Sequence, residues 1–588
     1  MKRHPILIAF VVVIVALIGW YVWRQVWPAE IYRFSEVSGP EDSNQVRLSP
    51  PLNVADFEGG GPNRIAVLVT DSASDWMGLV RGFKSHGIPA TFTTDASKAL
   101  QHQVIFAYPS ISGQVLSQSA IKSLAEHIRT GGTVLTSDLA GGGLEELFGI
   151  RGQLPSRERR QIRWAGDGDP ADLTTVFSSS AAEAKVGSLG IAPTTAQVLA
   201  RYEDGTAAAV CRSVGGRACI IGVDPGSAAQ RAMNGRSEKF SPDSVNTYQP
   251  GLDVLFRWIR DIYVEGEDQP FLIGTAPAGK EGSLVLTHDV DFTRSVDNSV
   301  TYAESINRQG VSATFLIQTR YVRDWGDDIF FNHANLPKLK KIAETMEIGS
   351  HSVSHSRQFA TLPLGTGKES YPGYRPFVEN AKETRDASIF GETRVSRFLL
   401  EKLVGTSVSS FRPGHLFYPE ALPDVLAATG YRYSSGLTAN SAQTHLPFRL
   451  TQERGGAAFL PVWEFPVSIE DEKTPRLIDR YDAAKSVINK ITAHGGVAVI
   501  LIHPDITGHK LEFEMRLIQE MRNRLWIGSL RDFGNWWKAR DDAEIDFDGR
   551  TLTLAARTRL NALDVHFPKM GKRVSVNGIQ GQSRMAIR

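Results

Sequence analysis

The octapeptide Leu284-Val285-Leu286-Thr287-His288-Asp289-Val290-Asp291 constrains this chain more than any other stretch. Its apolar start reads as a short buried strand, and the strand end delivers Asp289 and Asp291 into a crevice. Asp-x-Asp alone is common, and most instances are solvated turns. Its weight comes from three later motifs, in this order: His351-Ser352-Val353-Ser354-His355, then Phe411-Arg412-Pro413-Gly414-His415, then Leu501-Ile502-His503-Pro504.

Strand signals recur at 283–286, 313–317, 347–350, 408–411, 431–433 and 497–501, with helices expected over 335–346, 375–390 and 483–493. This alternation predicts a distorted β/α barrel over residues 270–540, with functional residues at the C-terminal ends of its strands. Asp289, Asp291, His351, His355, Arg412 and His503 each fall just after a strand.

His351 and His355 are four apart, so on a helical turn both imidazoles project to one side. With 14 histidines in 588 residues, roughly 0.3 such pairs arise by chance, so the pair alone decides little. A carboxylate as third ligand gives a two-His, one-carboxylate set with open positions, which suits a catalytic zinc better than a structural one. A second carboxylate beside the metal would take a proton from its water, and a distant histidine would protonate the leaving group.

The ordered motifs resemble the polysaccharide deacetylases of carbohydrate esterase family 4, the NodB-homology domain, over about 250 residues. That family usually has Thr-Phe-Asp-Asp-Gly, His-Ser/Thr-x-x-His, an Arg-Pro motif and a late Leu-x-His. The resemblance implies Asp289 as general base, Arg412 as the residue orienting it, and His503 as general acid. It implies His351 and His355 as metal ligands and Leu501 as lining of the acetyl pocket. Val290 stands where the family's usual metal-binding Asp follows the base, so Asp291 is assigned as the carboxylate ligand. The implied cofactor is a divalent ion, Zn2+ before Co2+ or Ni2+. The third motif lacks the usual second Pro and aromatic residue. Glu464, with Asp482 behind it, is the candidate for the acidic residue that tunes the catalytic histidine. Trp463 and His415 are candidate substrate contacts. His288 is expected in packing or behind the ligands, and His509 in a solvated loop. Trp526, Trp536 and Trp537 read as core before sugar platforms.

Upstream, Pro5 through Trp23 is almost wholly apolar after Lys2 and Arg3. About 20 such residues span a bilayer, and the flanking charges favour a cytoplasmic start. An uncleaved signal anchor over 5–27 is expected, with a cleaved signal peptide as the competing reading. The rest of the chain would then lie outside the cytoplasm, in the periplasm of a Gram-negative cell, on a single-pass inner-membrane anchor. Residues 28–62, rich in Pro, Ser and Gly, read as a linker. Residues 63–265 alternate strands and helices as in a three-layer α/β domain, and resemble the class I glutamine-amidotransferase-like fold. Neither cysteine, Cys211 or Cys219, sits where that family's nucleophile would be, so a binding or scaffolding role is expected. The two flank a Gly-Gly turn and would either form a disulfide across a hairpin or remain free thiols. Residues 541–588 alternate around Asp548-Gly549 as a small β appendage.

Lys plus Arg number 65 and Asp plus Glu 64, for a net charge of +1; nothing in this balance implies nucleic acid. Two cysteines exclude a Cys-rich zinc cluster. The leading expectation is a membrane-anchored, metal-dependent deacetylase of an N-acetylated or O-acetylated polysaccharide, with an exopolysaccharide-assembly protein as a possible partner. A degenerate domain that binds glycan or a partner without turnover, and a deformylase or other amidohydrolase, are the alternatives.

Overall fold

The structure, a computed structural model, describes residues 30–178, 185–234, 244–326 and 328–587. The expected anchor over 5–27 lies outside the described residues. Among the described residues, no helix is long and apolar enough to cross a membrane.

The N-terminal domain is built on a mixed sheet. Ala90–Thr93, Ile65–Val69, Val104–Ser112, Thr133–Ala140 and Gly216–Ile221 run parallel in that spatial order. The sheet continues through antiparallel strands beginning with Ala207–Val214. Residue alternation splits the strand side chains between two layers. Ile65, Val67 and Val69 face the helices Trp76–His86 and Gly251–Gly266; Ala66 and Leu68 face Gln118–Arg129. The three layers follow from this two-sided burial. Gly78 lets the first helix approach Pro225–Ala232 closely, since a Cβ there would meet the Gly226 carbonyl oxygen at 2.0 Å. Cys211 and Cys219 are cross-strand partners and are joined as a disulfide.

The sheet of the second domain runs, in spatial order, Phe459–Glu464, Tyr433–Ser434, Ser410–Phe411, Glu347–Ser350, Thr314–Ile317, Gly282–Val290, Val497–Ile502 and Ile469–Glu470, all parallel. It curls on itself. Val467 N–H donates to Leu437 O at 2.8 Å, and Ser468 N–H donates to Val499 O at 2.9 Å. The segment 463–470 therefore bridges the two ends. Its floor is apolar: Val285, Trp463, Val499 and Phe465 meet Leu530, Phe533 and Trp537 of the helix Leu530–Asp541.

Three expectations change here. The helix expected over 375–390 is instead a hairpin, Phe377–Asn380 with Glu383–Arg385, followed by the helix Ile389–Val404. The Ser388 side chain caps that helix by accepting from Gly391 N–H. Residues 30–62 are not a free linker. Tyr32 N–H donates to Tyr321 O, Gly39 exchanges backbone bonds with Tyr371, and Leu52 N–H donates to Ala457 O. This strap runs along the barrel before the chain enters the N-terminal domain. The appendage also takes a strand from ahead of the barrel: Leu272–Pro277 pairs with Leu563–Phe567, and both join a core with Phe271, Phe547 and Leu554.

Candidate functional site

Val290 faces the outer helix layer with Leu284 and Leu286, while Val285 faces the barrel interior. Alternation then sends Asp289 inward, and Asp291 follows it on the same side. Both are buried. Asp289 Oδ1 accepts from Arg412 at 2.7 Å, and its Oδ2 lies 3.8 Å from His351 Nε2. Arg412 is fully buried and donates twice more to Ser435, through Nε to the carbonyl and through its second terminal nitrogen to Oγ. The guanidinium is thereby fixed before it meets Asp289.

His351 and His355 lie in a loop, not on the helical turn the spacing suggested. Ser352 and His355 adopt left-handed backbone, φ 67° and 55°, a conformation that costs energy in non-glycine residues. Buried Glu392 holds the loop by accepting from the N–H groups of Val353 and Ser354 at 2.9 and 2.8 Å. The two imidazole centroids are 4.8 Å apart. His351 Nδ1 bonds the Arg412 carbonyl at 2.9 Å, which places the proton on Nδ1 and leaves Nε2 a lone pair.

Asp291, His351 and His355 offer ligand atoms that all lie within 4.8 Å of one another. Two of these buried side chains carry an orphaned polar atom, Asp291 Oδ1 and His351 Nε2. A cation is the partner that would satisfy both, so these residues fit a divalent metal. Gly414 is required beside them: a Cβ there would meet the His355 ring at 2.6 Å. His415 stacks edge-on against His355 at 4.3 Å and is exposed, on left-handed backbone.

On the opposite wall, His503 Nδ1 bonds Asp471 Oδ1 at 2.7 Å, and His503 N–H donates to Asp471 Oδ2 at 2.8 Å. Lys510 completes the set, 2.6 Å from Asp471 Oδ2 and from Asp505 Oδ1. His503 Nε2 points toward Asp291, 3.9 Å away.

The electrostatics separate these groups. Burial would raise Asp289, but the charges of Arg412 and His503 and the hydrogen bond from Arg412 outweigh it and hold the carboxyl below its usual range. Burial pushes Asp291 up to about 7 and drives both His351 and His355 down, toward neutral imidazole. Burial also opposes charge on His503, yet the hydrogen bond and charge of Asp471 prevail and raise it to about 10. One carboxylate is ready to accept a proton and one histidine to give one.

Not every expected residue is here. Glu464 does not touch His503; its carboxylate accepts from the N–H groups of Gly436 and Leu437 at 2.7 and 2.8 Å, and Asp482 lies exposed on the helix Tyr481–Ala493. Asp471 holds the place expected for Glu464. Trp463 is buried in the barrel floor and donates to Asp541 at 3.0 Å, so it cannot meet substrate. Leu501 is buried on the inward face of its strand, two residues before His503. His288 is buried behind the site, bonded to Glu514 and stacked on Phe315. Trp537 is core and Trp526 packs on Phe533. Trp536 stacks on Phe533 and donates to Asn561 O. His509 sits in the first turn of the helix Gly508–Met521, half-buried.

Residues 276–434 match the family described as "Polysaccharide deacetylase". That stretch is a polysaccharide deacetylase domain, and it makes the chain a hydrolase of the class that acts on the carbon–nitrogen bonds of acetylated sugars. The match does not extend to the N-terminal domain. Solved structures with a similar fold include a polysaccharide deacetylase described as putative from Mycobacterium smegmatis, at 16% identity, TM-score 0.34, over 45% of this chain and 94% of that one. A carbohydrate esterase family 4 (CE4) esterase from Streptococcus mutans has 17% identity and TM-score 0.26, over 42% and 86%. A CE4 family pseudoenzyme from Bacillus anthracis has 15% identity and TM-score 0.27, over 44% and 66%. Likenesses this low bear on no functional assignment. No curated protein matches the chain.

Proposed function

We propose that this chain is a metal-dependent deacetylase of an N-acetylated or O-acetylated polysaccharide, anchored in the inner membrane with its catalytic barrel in the periplasm. The observation that carries the chemistry is one convergence: an open two-His, one-carboxylate triad between an Arg-held carboxylate and an Asp-held histidine. Asp291, His351 and His355 would hold the ion. When bound, it supplies a polarised acetyl carbonyl and a water of lowered pKa. Asp289, kept ionised by Arg412, takes the proton of the attacking water. His503, oriented by Asp471, gives its proton to the departing amine or alcohol. Leu501 lines the acetyl end and His415 the groove. Zinc suits the nitrogen and oxygen donors, with cobalt or nickel as substitutes.

The test is acetate release from chito-oligosaccharides and acetylated exopolysaccharides by the full chain, with metal content measured. Activity that disappears with chelator and returns with zinc supports the reading. Bound metal with no acetate points to another acyl group. A folded protein lacking both metal and turnover overturns it.

Asp471→Asn is expected to move the alkaline limb of the kcat/KM profile to lower pH. The sign follows from His503 acting in its protonated form. Activity falls as pH rises through its pKa, which Asp471 raises toward about 10. Without that carboxylate the limb slides toward the ordinary histidine range. An unchanged profile in a folded, metal-loaded variant removes Asp471 from the acid's control.

A further inference from the structure

We propose that the catalytic rim of the barrel rests on a lipid bilayer surface, so that the site opens toward the membrane. The proposal rests on the anchored reading above and adds an orientation to it. Among the described residues, nine large apolar side chains are exposed. Five of them, Phe292, Trp325, Leu364, Phe417 and Ile506, lie on one end of the barrel, in loops that follow the strands bearing Asp289, His351, Arg412 and His503 and the neighbouring strand Thr314–Ile317. They are between 37% and 60% exposed, Trp325 most of all. Exposed apolar residues scattered singly need no explanation, but five in the loops at one end of a barrel mark that end as an interaction surface.

The path of the chain says what covers it. Glu30, the first described residue, has its carbonyl bonded by Arg323 N–H at 2.9 Å, and Ile31 pairs with Val322. These contacts are two and three residues from Trp325, whose own N–H donates to Val378 O. The chain therefore reaches the barrel at this rim. Between the apolar run ending at Trp23 and Glu30 stand only residues 24–29. At about 3.5 Å per residue, that tether spans at most roughly 25 Å whatever its conformation. An anchor in the bilayer then holds this end of the barrel, and not the floor, within a short distance of the headgroups. Tryptophan at such a depth is at home in the interface. Glycan stacking is the competing use of an aromatic rim, but Leu364 and Ile506 offer no ring face.

The two cysteines are joined to each other, so an introduced cysteine takes a thiol label alone. Full-length Trp325→Cys and Leu364→Cys would carry a fluorophore on the rim. Exposed Met570→Cys would carry it by the floor, next to Gly571, which lines one cavity with Gly495 and Gly496, and Leu154→Cys on the N-terminal domain. The protein is placed in vesicles of phosphatidylethanolamine and phosphatidylglycerol containing nitroxide-labelled lipid. Severalfold stronger quenching at 325 and 364 than at 154 and 570 is expected. Equal, weak quenching at all four positions in protein that floats with the vesicles overturns the docking and leaves the anchor standing. Rim labels that ignore lipid and respond to chito-oligosaccharide also overturn it, and assign the rim to glycan. Failure of the chain to float with the vesicles overturns the anchor and the docking together.

Discussion

Asp289→Asn is expected to lower turnover by about a hundredfold to ten-thousandfold while the protein keeps its metal. His351→Ala is expected to lose both. Asparagine fills the same volume and still accepts from Arg412, but it cannot take a proton from water. The metal triad of Asp291, His351 and His355 does not include it. His351 supplies the orphaned Nε2, and its removal leaves two ligands where three are needed to hold a catalytic ion. Elemental analysis of each purified variant beside its acetate release decides the matter. Equal metal loss in the two variants would sink this division of roles.

Arg412→Met is expected to open the barrel locally by about 3–5 kcal/mol, the usual cost of leaving one buried charge without its partner. Asp289 is 3% exposed, and Arg412 is the guanidinium paired with it at 2.7 Å. The same change strips Ser435 of two donors, so the strand carrying Phe411 also loses a tie to its neighbour. Hydrogen exchange read on peptides covering 282–291 and 410–416 reports the opening free energy. In the double variant Arg412→Met with Asp289→Asn, no carboxylate remains to be stranded, so part of the loss should return. A double variant as unstable as the summed singles would show that the Ser435 contacts, and not the ion pair, hold this wall.

The strands that carry the site were legible because each is a short apolar run ending in a polar residue, and a parallel β/α arrangement brings such ends together. Asp289, Asp291, His351, His355, Arg412 and His503 indeed meet. Asp471 was not legible. It follows a strand of two residues, Ile469–Glu470, too short to leave a pattern, whereas Glu464 ends a longer and more conspicuous run. Glu392 leaves no sequence signal for another reason: it sits early in the helix Ile389–Val404, and only the fold brings it under the His351 loop. The strap reads as a linker in the sequence because its ties to the barrel are largely main-chain hydrogen bonds, which leave no mark on side-chain composition. The mistaken helix at 375–390 shows the reverse. Charged residues at helical spacing masked a hairpin, although Ser388 three residues before Gly391 was an available helix-start signal.

The strap also sets a timetable. Residues 30–52 leave the ribosome long before their partners do: Asn44 donates to Ala428 and Ser49 to Gln452, separations of 384 and 403 residues. Pairings this distant in sequence form late and slowly. This stretch thus waits, undocked, until most of the barrel has been synthesised. Its docking reports that the barrel has closed.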